Sequence, residues 1–212
     1  MKLIDRTLRD LLSAFSAPDP TPGGGSASAL ASAVGVSLLM MVAGLAKTRN
    51  GSDDDRAALA AASSALASLR DELAAAIDAD AAAYDRVVAA YKLPKGTSDE
   101  QQARKSAIQD ALRAATDVPL SVMRLSARGC DEAGTIAAHG HRAAASDVGT
   151  AMTLLRAGLH GAGLNVEINL GSVKDADYAA KIRSEVAELE RALHHETEAA
   201  EIQRRRGLEA AE

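Results

Sequence analysis

The sequence predicts an all-α fold, an antiparallel bundle of about six helices, and two observations carry that reading. Apolar side chains recur at alternating three- and four-residue steps from Leu66 to Tyr91, with apolar faces at both ends of the chain as well, the period of helices with one buried face. Residues that build sheets are scarce: one Phe, three Tyr and no Trp stand among abundant alanine, which favours helix and lets helices approach closely. With 47% hydrophobic residues the chain can bury a sizeable core, and residues 1–212 read as one domain.

A first helix is expected over about Ile4 to Phe15, with Leu8, Leu11, Leu12 and Phe15 on one side, ending at the proline-rich turn Pro18–Pro22. A second, rich in Ala, Ser and Gly and largely buried, begins near Ser26 and runs to about Thr48. The polar stretch Arg49–Asp54 links it to a third, which Leu93-Pro94-Lys95-Gly96 stops. Thr97 or Ser98 caps a fourth over roughly Asp99 to Cys130, where Pro119 removes a backbone donor and is expected to kink or split the helix. A fifth region, Glu132 to about Val166, is interrupted near Gly140 and restarts around Ser146. A last helix, about Asp175 to Leu208, buries Tyr178, Ile182, Val186, Leu189 and Leu193.

Several function classes are disfavoured. Net charge is -5 with both signs mixed and no basic tract, so nucleic acid is not an expected partner. Cys130 is the sole cysteine, which excludes an intrachain disulfide and agrees with a reducing compartment such as the cytoplasm. Asp5, Arg6, Arg9 and Asp10 interrupt any signal-peptide core, and the Leu30–Ala46 apolar run reads as short of a membrane span. His139 with His141, and His194 with His195, lack the spacing that puts two imidazoles on one helical face, so no metal is expected.

One acid stands out. The third helix carries Leu66, Leu69, Leu73, Ile77, Asp80, Tyr84, Val87 and Tyr91 on one face, so Asp80 occupies a core position. Asp71, Asp78 and Asp85 repeat every seven residues on another line and read as a solvated face. A carboxylate among apolar side chains loses hydration and its pKa rises, which makes Asp80 a candidate general acid or base. A buried acid capping a neighbouring helix, or paired with an Arg, explains the same position.

Thr21-Pro22-Gly23-Gly24-Gly25-Ser26 opens a helix, where exposed N–H groups and the helix dipole suit an anion. A tight turn with Ser26 as N-cap accounts for it equally well. Small residues beyond it, from Ala27 to Gly35, suit close helix packing. Either Ser146 or Asp147 fits as an N-cap. Asn165 and Asn169 suit tying off helix carbonyls or reading a heterocycle edge. Lys95, Arg104 and Lys105 cluster after Pro94 and could draw an acidic ligand, or simply face solvent.

Three segments, LLSAFSAPDPTPGGGSASAL at 11–30, IDADAAAYDRVVAAYKLPKGT at 77–97 and AASDVGTAMTLLRAGLHGAGLNVEINL at 144–170, together resemble the cyclodeaminase domain of formiminotransferase-cyclodeaminases and the related stand-alone methenyltetrahydrofolate cyclohydrolases. The resemblance implies a homodimer with folate sites near the subunit interface, and places the catalytic acid on Asp80. By the same matching Gly23, Gly24, Gly25, Ser26, Tyr84, Lys95, Ser146 and Asp147 line or support the folate site. His141 departs from the Asn found before the Ser-Asp pair in relatives.

The implied chemistry is hydrolysis of 5,10-methenyltetrahydrofolate to 10-formyltetrahydrofolate, or closure of 5-formiminotetrahydrofolate with loss of ammonia. Neither calls for a metal or redox cofactor; the tetrahydrofolate derivative is the substrate. No formiminotransferase-like segment precedes the match, which leans the expectation towards the cyclohydrolase. A non-catalytic helical dimer that binds folate or a protein is the alternative of a different class.

Overall fold

The structure, a computed structural model, describes residues 1–209, with side chains described through Ala192. Helices α1 (Leu8–Ser16), α2 (Gly24–Ala43), α3 (Asp53–Tyr91), α4 (Ser98–His139), α5 (Ala145–Leu170) and α6 (Ala176–Glu209) follow in order, with a 3-10 turn over Arg142–Ala144. No strand is present among the described residues, so the all-α expectation holds. Leu193, His194 and His195 lie outside the described side chains.

Short connections make α2, α3, α4 and α5 an up-down-up-down bundle, and α6 packs against α4 and α5. Leu39, Leu66, Leu69, Leu73, Ile77, Leu120, Met123, Leu155 and Leu159 are fully buried between these helices. α3 and α4 outrun α2 and α5, so their far ends continue as a hairpin with a small cluster of its own, Ala90, Ile108 and Leu112. A capping box locks the turn of that hairpin: Thr97 Oγ1 accepts from the Glu100 amide while Glu100 accepts from the Thr97 amide.

α2 and α5 run antiparallel in close contact because their facing positions are small. A methyl on Gly158 would collide with Ser32 Oγ, and one on Gly35 would stand 2.9 Å from the Ala151 carbonyl. Helix packing thus explains the small-residue run. By length and composition α2 could cross a membrane, contrary to the expectation that this apolar stretch is too short; half of it is buried inside the bundle.

Other expectations are corrected. α1 starts at Leu8, because Thr7 Oγ1 caps it through the Asp10 amide, and Leu8 and Leu12 face outward while Leu11 is buried. α2 ends at Ala43, five residues early, at Gly44. Pro119 neither splits α4 nor ends it: the helix continues to His139. Pro119 has no N–H to give the Ala115 carbonyl one turn back, and Asn169 of α5 donates its amide there instead, at 2.8 Å. Asp78 is not a solvated acid, since it accepts from the amides of Leu3 and Ile4 and anchors the N-terminal segment.

At the end of the bundle where α3 starts, Asp55 is buried. Its Oδ1 meets His139 Nδ1 at 2.9 Å, and its Oδ2 accepts from the Asn50 amide and Thr48 Oγ1. His139 first, then these donors, hold the Asp55 carboxyl down at about 2 despite burial. The pair ties the α2–α3 loop to the end of α4, aided by the Thr48–Gly140 bridge.

Candidate active site

Asp80 sits where α2 begins, at the foot of the ledge formed by the α3–α4 hairpin. Its position on the Leu73-Ile77 stripe turns it inward against the glycine turn, and it is half-buried. Gly23 is the N-cap of α2 and offers no side-chain acceptor to the orphan amides of the first turn. Asp80 takes that role from the neighbouring helix: its Oδ2 accepts from the Ser26 amide at 2.8 Å. Ser26 is therefore not the N-cap but the third residue of α2, and the cap comes from α3.

The Ser26 hydroxyl stands 2.8 Å from the Ile77 carbonyl and 3.1 Å from Asp80 Oδ2, and its one proton serves one of them at a time. Asp80 Oδ1 accepts no hydrogen bond from the described residues. It rests over Gly25, where an added methyl would collide with it, so only glycine leaves the carboxylate room. Burial pushes the Asp80 carboxyl above the ordinary carboxylate range, and the two Ser26 donors pull it back in part. No arginine among the described residues pairs with it.

Gly24 lies beneath Asn165 of α5, whose Nδ2 would stand 3.2 Å from a methyl there and donates to the Gly161 carbonyl at 2.8 Å. Asn165 thus joins the turn, although neither spacing nor resemblance places it among the site residues. Its signal in the sequence is an amide suited to tying off a helix carbonyl, which it does at Gly161, or to reading a heterocycle edge. Tyr84, one turn beyond Asp80 on α3, is exposed on the ledge, and Lys95 is exposed at its tip. Arg104 is committed to structure: it donates to the Tyr91 carbonyl at the end of α3 and stacks over the Tyr91 ring.

Ser146 and Asp147 are not brought to Asp80 within the chain. They lie in the first turn of α5, capped by Ala144 with no side-chain bond, so neither is the N-cap. Since α5 runs antiparallel to α2, that turn is at the opposite end of the bundle, about 30 Å away by helix rise. Among the described residues no group of three or more His, Cys, Asp or Glu is placed to hold a metal.

A four-helix bundle with a desolvated carboxylate, one oxygen anchored on a helix N-terminus and the other open, is a scaffold equipped to exchange protons. The sequence profile of the formiminotransferase-cyclodeaminase family matches residues 7–188, and the chain belongs to that family. It is 36% identical over 175 residues to the methenyltetrahydrofolate cyclohydrolase of Methylorubrum extorquens, covering 82% of this chain and 84% of that protein. It is 31% identical to the formimidoyltransferase-cyclodeaminase of Rattus norvegicus, covering 88% of this chain but 35% of that protein. Its structure superposes on formiminotetrahydrofolate cyclodeaminase from Thermotoga maritima with a TM-score of 0.80 at 26% identity, over 91% of this chain and 92% of that one.

Proposed function

We propose that the chain is a folate one-carbon enzyme that hydrolyses 5,10-methenyltetrahydrofolate to 10-formyltetrahydrofolate, with Asp80 as its acid–base group. The observation that carries the reading is the inequality of the two Asp80 oxygens. Oδ2 is fixed by Ser26 and Oδ1 is open, in a setting that raises the carboxyl's affinity for a proton. The 36% identity to a methenyltetrahydrofolate cyclohydrolase, over most of both chains, supports this substrate.

A carboxylate beside the bridging carbon stabilises the cationic methenyl ring and takes a proton from water as water adds to that carbon. The tetrahedral adduct then breaks its bond to N5, which leaves with the proton returned by the Asp80 carboxyl. The adduct's hydroxyl proton passes to solvent, and the formyl group remains on N10. Water is the sole co-reactant in this sequence, with no metal or cofactor assigned. Gly23, Gly24, Gly25 and Ser26 form the seat of the carboxylate; Tyr84 and Lys95, exposed on the ledge, are assigned to line the folate site.

A cytoplasmic homodimer completes the reading. Val34 and Met41 of α2, Leu45 just beyond its end, and Leu164 and Ile168 of α5 are exposed apolar residues on adjoining helices, a face suited to a second copy. A two-fold axis that runs α2 against its counterpart in the opposite sense would bring Ser146 and Asp147 of one copy towards Asp80 of the other. Sedimentation of wild type and Val34→Asp tests it: a dimer that dissociates in the variant supports the face.

The second reading, cyclodeamination of 5-formiminotetrahydrofolate, is favoured by the Thermotoga maritima likeness. There the same carboxyl would protonate the departing ammonia. Assaying both substrates side by side, by methenyl absorbance and by ammonia release, separates the two.

A further inference from the structure

Two asparagines stand in the last turns of α5, and the fold depends on only one of them. Asn169 supplies the donor that Pro119 lacks. Asn165 Nδ2 donates to the Gly161 carbonyl at 2.8 Å, but that carbonyl already receives the Asn165 backbone amide within the α-helix. Asparagine is also a poorer helix former than alanine, so this side chain adds little to α5.

Its place is beside Asp80. The Asn165 carboxamide lies over Gly24, where Nδ2 would stand 3.2 Å and Oδ1 3.6 Å from an added methyl, and Asp80 lies over Gly25, the next residue. The two side chains, from α5 and α3, are anchored in the same manner. Asp80 Oδ2 is held by Ser26 and Asn165 Nδ2 is held on Gly161. Asp80 Oδ1, and Asn165 Oδ1 with its second N–H, have no hydrogen-bond partner among the described residues. Gly24 is exposed and Asn165 half-buried, so a ligand over the glycine turn reaches the amide.

We propose that Asn165 is a substrate-binding residue that reads the pterin ring, its Oδ1 accepting from the ring N3–H and its free N–H donating to the C4 carbonyl. The inference rests on the folate reading and carries it to a further residue and a defined edge of the ring. Asp80 acts at the bond between the bridging carbon and N5. In a pterin the C4 carbonyl is peri to N5, and N3–H follows on the same edge. A ligand with N5 at Asp80 therefore presents a donor and an acceptor close by, where Asn165 has one of each free. An amide reads the opposite polarity only by exchanging its O and N, and the Gly161 bond holds Asn165 in one sense. The site therefore favours a 4-oxo over a 4-amino pteridine.

Calorimetric titration with tetrahydrofolate and with its 4-amino counterpart, in which the donor and acceptor of that edge are exchanged, tests this without turnover. Wild type should bind tetrahydrofolate about tenfold or more tighter than the 4-amino compound, the effect of a pair of hydrogen bonds. Asn165→Ala and Asn165→Leu should lose about tenfold for tetrahydrofolate and bind the two compounds alike. In the absorbance assay the same variants should raise KM for 5,10-methenyltetrahydrofolate and keep kcat, the sign of lost ground-state binding. They should also unfold and sediment as wild type does, because Gly161 keeps its backbone partner. An oxo-over-amino preference indifferent to Asn165, or variants that unfold early or change oligomeric state, overturns the proposal and assigns the amide to packing. Wild type that does not bind tetrahydrofolate overturns it together with the folate reading. Binding that depends on Asn165 in a protein without turnover supports it and removes the hydrolysis alone.

Discussion

The Cα of Gly25 lies directly beneath the open oxygen of Asp80: a methyl group added to Gly25 would collide with Oδ1 and stand 2.5 Å from the carboxyl carbon. No rotation of a methyl relieves such a contact, so either the carboxylate or the first turn of α2 must shift. Gly25→Ala should therefore lower turnover by about 10²-fold, the cost of a misplacement of roughly 1 Å. It should destabilise the fold by about 1–3 kcal/mol as an overpacked contact. The same substitution made on top of Asp80→Ala should cost less stability than in the wild type, as urea denaturation of the four proteins would read.

Pro119 and Asn169 form a second coupled pair. The Asn169 amide replaces the donor that Pro119 lacks, at the carbonyl of the buried Ala115. Asn169→Ala should cost about 1–3 kcal/mol, the penalty of an unpaired buried carbonyl. In a Pro119→Ala background the helix recovers its own N–H, and the loss should shrink. Equal losses in both backgrounds, measured by chemical denaturation, would dissolve the coupling.

Acid sensitivity should concentrate at Asp55. Its carboxyl is held at about 2 in the folded chain against 3.8 for the free group, so between these values the unfolded chain binds more protons. The stabilisation is fully present above about pH 4 and lost as pH falls through 2. Asp55→Asn should remove that slope from the dependence of unfolding free energy on pH. A slope unchanged in the variant would assign the acid response to other groups.

Asp80 carries the opposite sign. Its carboxyl is raised, so the folded chain holds the proton more tightly and stability falls as pH rises from 3.8 through the raised value. Asp80→Asn, which cannot ionise, should gain stability relative to wild type across that rise. Denaturation midpoints of both proteins at several pH values check it.

Much of this is legible in the sequence because it depends on period. The Leu66-Leu69-Leu73-Ile77-Asp80 spacing alone turns Asp80 inward, and the alanine-rich composition dictates the helical class. Local turn chemistry is partly legible, as Thr97 with Glu100 illustrates. Long-range partners are not. Nothing near Pro119 announces that an amide fifty residues later repairs α4, and nothing near Asp78 reveals the Leu3 amide that occupies it. The local pattern allows Ser26 as a cap, whereas the cap belongs to Asp80 of another helix. Resemblance groups Ser146 and Asp147 with Asp80, and the antiparallel course of α5 sets them at the other end of the bundle.

The central claim is that Asp80 moves protons at a folate carbon. It is tested most directly by following the absorbance of 5,10-methenyltetrahydrofolate with purified wild type and Asp80→Asn, with uncatalysed hydrolysis subtracted. Enzyme-dependent loss in the wild type, slowed about 10²–10⁴-fold in a variant that remains folded and still binds the substrate, is the expected result. Equal rates in the two proteins, or none in the wild type, would contradict the account.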